Sequence, residues 1–78
     1  MEFSTNYMKS LSKLPREWQI KIHQACKNLC NWPEVQNVKS MIDQPGYRLR
    51  VGRYRVLFKV EGNRIMVNDV RIRNERTY

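Results

Sequence analysis

Two periods run through the apolar positions of this chain. From Tyr7 to Leu29 they recur every three or four residues, and from Tyr47 to Phe58 they alternate with polar residues. Tyr7, Met8, Leu11 and Leu14 predict a first helix, capped by Ser4 or Thr5 and stopped by Pro15. Trp18, Ile22, Ala25, Cys26 and Leu29 predict a second, opened by Pro15 and closed by Asn31-Trp32-Pro33. So short a break between them implies a helical hairpin or a bent pair. Residues 34–46 have no clean period and end in the turn signal Pro45-Gly46. They read as a connector that Val38, Met41 and Ile42 tack onto the core.

The alternating stretch folds back on itself at Gly52-Arg53, which suits a two-residue hairpin turn with glycine first. That loop sets Val51 opposite Tyr54, Leu49 opposite Val56 and Tyr47 opposite Phe58 on one apolar face. The same register puts Arg50 directly across from Arg55, with Arg48 two positions along. Like charges in that relation destabilise a sheet unless they stay in water or hold an anion. A merely solvated face leaves the choice of arginine over lysine unexplained, so the face reads as an anion platform.

Glu61-Gly62-Asn63-Arg64 predicts a second tight turn, followed by a strand from Ile65 to about Ile72. Val70 and Ile72 are one residue out of phase with Ile65 and Val67, which predicts a bulge near Asn68-Asp69 that turns Arg71 and Arg73 toward the platform. Met1 to Phe3 could add a short edge strand. The fold class expected is α+β: an N-terminal helical hairpin packed on a small, mainly antiparallel sheet of three or four strands, one domain over residues 1–78.

Composition narrows the partners. A 78-residue domain buries only ~60% of the surface its unfolded chain exposes, so its stability margin is modest. Residues 1–46 hold six Lys/Arg against four Asp/Glu, while residues 47–78 hold nine against three, so the net charge of +8 divides into +2 and +6. The sheet half therefore faces a polyanion, and a phosphate backbone is the commonest one. No apolar run is long enough for a membrane span and the start lacks the pattern of a signal peptide, so the expectation is a cytoplasmic protein with no membrane partner. His23, Cys26 and Cys30 share one helix face, but a lone helix lacks the paired knuckles of a zinc site. The thiols are read as reduced, the histidine as structural or surface, and no metal or cofactor is expected.

The candidate chemistry is dominated by arginine. No paired carboxylates flank the sheet, and the sequence has no Gly-rich phosphate loop, so a triad, metal-dependent or two-carboxylate hydrolase is not indicated. Arg48, Arg50, Arg53, Arg55, Arg71, Arg73 and Arg76 remain, with Tyr47, Tyr54 and Tyr78. Such a set can act on a bond that carries its own nucleophile. In RNA the 2′-hydroxyl sits beside the scissile phosphodiester, leaving the protein to fix in-line geometry and stabilise developing charge. Guanidinium forks match phosphate oxygens, and a tyrosine can stack on a splayed base or move a proton. The residues alone thus favour RNA binding and leave cleavage open.

The segment Gly46-Tyr-Arg-Leu-Arg-Val-Gly-Arg-Tyr-Arg-Val-Leu-Phe58, the ending Arg71-Ile-Arg-Asn-Glu-Arg-Thr-Tyr78 and the order of elements resemble the RelE/ParE superfamily of bacterial toxins. The resemblance implies a toxin that enters the ribosomal A site and cleaves mRNA there, neutralised by an acidic antitoxin. It also implies roles. Arg55 and the C-terminal arginine, Arg73 or, with a gap, Arg76, correspond to transition-state stabilisers, and Tyr78 to the catalytic or base-stacking tyrosine. Arg48 and Arg50 correspond to RNA-binding residues, with Lys39 the nearby candidate for a basic residue in the connector; Arg53 and Arg71 join them as RNA-binding candidates on their place in the basic set alone. The general base is left open. A ParE-like inhibitor of DNA gyrase and a non-catalytic RNA-binding module are the alternative functions.

Overall fold

The computed structural model describes residues 1–42 and 44–72. Its elements are β1 (Glu2–Phe3), α1 (Thr5–Ser12), α2 (Arg16–Lys27) with a 3₁₀ turn over Asn28–Asn31, β2 (Val38–Ser40), β3 (Tyr47–Val51), β4 (Tyr54–Glu61) and β5 (Arg64–Ile72). The strands form one five-stranded sheet in the order β1-β5-β4-β3-β2, antiparallel throughout except for the parallel β1–β5 pair.

Both helices lie on one face of the sheet because both carry one apolar stripe. Tyr7 and Leu11 from α1, Ile22 and Cys26 from α2, and Leu29 meet Leu49, Tyr54, Val56, Phe58, Ile65, Val67 and Val70 in a single core. Ser4 is the α1 cap: its Oγ accepts the Tyr7 N–H at 3.1 Å and donates to the Asn68 carbonyl, while its own N–H bonds the Val67 carbonyl at 2.9 Å. One residue thus starts the helix and ties it to β5.

The predicted bulge is present. Leu57 pairs with Asp69 and Phe58 with Val67, so Asn68 has no opposite number, and its carbonyl is the one Ser4 takes up. The hairpin register is also as expected, with Arg50 opposite Arg55 and Leu49 opposite Val56.

Gly52 has φ +58° at the hairpin turn, and a Cβ built there would lie 2.4 Å from the ring of Trp18 on α2. The bare backbone is therefore what lets the helix close over the hairpin tip. Gly52→Ala should cost about 2–4 kcal/mol, from the left-handed backbone and the overlap together, read as a lower urea midpoint at unchanged slope.

Three expectations need correction. Residues 38–40 form a strand rather than a plain connector: Val38, Lys39 and Ser40 pair with Leu49, Arg48 and Tyr47. A three-residue strand is too short to display a period of two, so the sheet gains a fifth strand that the pattern did not reveal. Ile42 is fully exposed, whereas Val38 and Met41 are half-buried, so the connector is tacked down by two residues instead of three. Met8 is exposed, because of the apolar residues on α1 only Tyr7 and Leu11 are buried against the sheet.

The helical half also holds a small polar cluster. The Tyr7 hydroxyl lies 3.2 Å from His23 Nδ1 and 3.6 Å from Cys26 Sγ, and Phe3 packs beside both rings with centroids 5.2 and 5.1 Å away. Cys26 is fully buried and Cys30 is exposed, both as free thiols. Burial, and then the hydrogen bond to Cys26, push the Tyr7 phenol well above its usual range; burial pushes the Cys26 thiol up to about 11. With its folded value above the unfolded one, the thiol's contribution is complete below about pH 9 and lost as pH rises through about 11. Alkaline titration of the urea midpoint should lose on the order of 2 kcal/mol across that window, and Cys26→Ala should give a flatter profile there.

Candidate functional site

The face of the sheet opposite the helices carries the basic residues. On β3 the pleat sends Leu49 and Val51 toward the helices and Arg48 and Arg50 away; on β4 it sends Tyr54, Val56 and Phe58 inward and Arg55 and Leu57 outward. Register then builds rows across the strands. Arg50, Arg55 and Arg71 stand opposite one another over β3, β4 and β5, and Lys39 stands opposite Arg48 over β2 and β3. Directly paired side chains start only about 5 Å apart, so these cations crowd.

They enclose a cleft of about 290 Å³ lined by Asn37, Val38, Lys39, Arg48, Arg50 and Arg55. Among the described residues, none that lines the cleft is acidic. Arg48 and Arg55 are half-buried and Arg50 is exposed, so the charges sit at different depths around one concavity. Among the described residues, Lys39, Arg48 and Arg50 form no ion pair. Four cationic groups converging on a concave surface focus positive potential, and three of them are forks suited to phosphate oxygens.

Other expected site residues lie elsewhere. Arg53 is exposed at the hairpin turn and does not line the cleft. Arg71 is the strand partner of Arg55, but its Nε donates to Asp69 Oδ2 at 3.2 Å. The other Asp69 oxygen accepts the Ser10 hydroxyl and the Val70 N–H, each at 2.8 Å, so the bulge fixes the carboxylate that holds Arg71 aside. Tyr47 and Tyr54 lie on the helical face, Tyr54 buried against Trp18 and Tyr47 packed between Trp32 and Phe58. Neither phenol shares the arginine face. Arg73, Arg76 and Tyr78 lie outside the described residues.

Sequence reasoning missed Asn37. It lines the cleft with φ +62°, and its carbonyl accepts the Arg50 N–H at 2.9 Å, which fixes the backbone where β2 joins β3. The available signal was residue type, since asparagine tolerates the left-handed region better than most residues. Lys39 enters the cleft for the same reason, because β2 forms. Among the described residues, no group of three or more His, Cys, Asp or Glu side chains could hold a metal ion, and no helix is long and apolar enough to cross a membrane.

This architecture is that of known toxins. The chain superposes on a chain of the RelB–RelE antitoxin–toxin complex from Methanococcus jannaschii with a TM-score of 0.78, at 23% identity over 94% of this chain and 91% of that one. It matches the RelBE2 toxin–antitoxin complex from Mycobacterium tuberculosis with a TM-score of 0.80, at 21% identity over 92% and 94%. Against the isolated RelE toxin of E. coli the TM-score is 0.74, at 17% identity over 97% and 87%. At those identities the likeness establishes an α+β, RelE-like fold. A family model for the ParE toxin of the parDE type II toxin–antitoxin system matches residues 2–77, and the chain belongs to that family within the RelE/ParE toxin superfamily. Among proteins of curated function, none matches significantly.

Proposed function

We propose that this toxin is a ribosome-dependent mRNA endonuclease that cleaves in the A site by attack of the RNA's own 2′-hydroxyl, leaving a 2′,3′-cyclic phosphate. The observation that carries the reading is the convergence of Lys39, Arg48, Arg50 and Arg55 on one cleft. Arg48, Arg50 and Lys39 hold the backbone, with Arg53 and Arg71 at the margins. Arg55 and Arg73 stabilise the charge that builds on the phosphate oxygens, and Arg76 and Tyr78 complete the site, the phenol stacking on a base or moving a proton. The chemistry needs no metal, and action on translating ribosomes places the protein in the cytoplasm. Mapping new mRNA ends after induction tests it: cuts confined to A-site codons, and only where translation proceeds, are expected.

A second reading, inhibition of DNA gyrase by protein contact, is favoured by the ParE description of the matching family. It predicts gyrase-dependent DNA breaks and intact mRNA in the same cells. The fold serves both activities, and fold alone does not assign one.

The partner in either case is an acidic antitoxin segment, disordered alone, that folds across the basic sheet. Such a complex should weaken about tenfold or more between low and physiological salt. An affinity flat over that range would put the contact on the helical side, where Met8 and Ile20 are exposed.

A further inference from the structure

Next to the arginine cleft lies a larger groove of about 680 Å³, between the end of α2 and the start of β2. Its floor includes Leu29 and Leu49, and its polar lining is Asn28, Asn31, Glu34, Gln36, Asn37 and Arg50. Asn37 and Arg50 line both depressions, so the two adjoin.

We propose that this groove is a base-binding subsite, which takes the nucleobase adjoining the phosphate seated on the arginine cleft and reads its edge through carboxamides. The inference rests on the RNA reading above and adds to it a residue set that selects sequence.

Five observations carry it. A carboxamide presents a donor and an acceptor side by side, which is what the edge of an unstacked base requires, and four of the six polar residues here are Asn or Gln. Among the described residues none of those four side chains is spent on a hydrogen bond, whereas Gln19 elsewhere donates to the Leu14 carbonyl at 2.9 Å. The charge is also graded. Glu34 opposes a phosphate in the groove but can accept from a base amino group, while Arg50, at the junction, holds the phosphate. The volume lies within the ~300–1,000 Å³ of small-ligand sites. Asn37, at φ +62° with its backbone carbonyl bonded to the Arg50 N–H, lines both depressions and so sits at the seam between the two.

The test is deep sequencing of cut sites on translating ribosomes by the full-length protein and its variants. Asn37→Gly keeps the left-handed backbone and removes the carboxamide; Gln36→Ala and Asn31→Ala remove the others. Each should shift the nucleotide preference beside the cut by about fivefold or more, with an unchanged melting temperature. Arg50→Ala should lower cutting at all sites alike. If the wild-type protein cuts and the carboxamide variants keep its base profile, the subsite is overturned while the arginine cleft stands. The same holds if those variants lose only antitoxin binding. If the wild-type protein cuts no mRNA, the RNA reading falls and this inference falls with it.

Discussion

Replacing Arg55 with alanine should lower mRNA cleavage by about 10²–10³-fold, the effect of removing one preorganised charge donor from a developing oxyanion. Arg55 lies on the face of β4 away from the core, between Arg50 on one neighbouring strand and Arg71 on the other, so the substitution leaves core packing untouched and should leave the fold intact. Unchanged circular dichroism would confirm that the loss is chemical. Arg55→Lys keeps the charge and loses the fork, and should fall between the two. Arg55→Ala with Arg73→Ala should abolish toxicity. Growth arrest equal to wild type by that double variant would remove both residues from the mechanism.

Phe58→Ala should be the most damaging single change to the fold, costing about 3–5 kcal/mol. Phe58 is fully buried, packs on Tyr47 and Trp32 with ring centroids 5.5 and 5.7 Å away, and sits beside the register shift that creates the bulge. A chain of 78 residues has only about 4–12 kcal/mol of stability in all, so a large part of it hangs on this ring. Urea denaturation followed by circular dichroism checks the value. The site would suffer too, since Leu57 and the arginine row are held on the far side of the same strand.

The hairpin was legible in the sequence because strict alternation around a glycine-led turn determines which residues pair. Arg50 opposite Arg55 follows from counting outward from Gly52. The bulge was legible because Val70 and Ile72 fall out of phase with Val67, and the only remedy within one strand is an extra residue. The strand over Val38–Ser40 was not, since three residues carry no period and what holds them is the long-range pairing to β3. With that strand went Asn37 and the wall of both depressions. The Asp69 carboxylate that draws Arg71 aside was equally hidden, because a bulge can be read from phase but the aim of its side chains cannot. The helices were clear in extent, yet Met8 shows that helical spacing marks a broad arc, of which the sheet takes only part.

Guanidinium groups on this sheet are proposed to act on a phosphodiester supplied with its own nucleophile. Ribosomes programmed with an mRNA bearing a single 2′-deoxynucleotide on the 5′ side of the scissile phosphate test it most directly. The account predicts efficient cutting of the all-ribose message, with a 2′,3′-cyclic phosphate at the new end, and no cutting of the deoxy-substituted one. Equal cutting of both messages, or of neither, would contradict it.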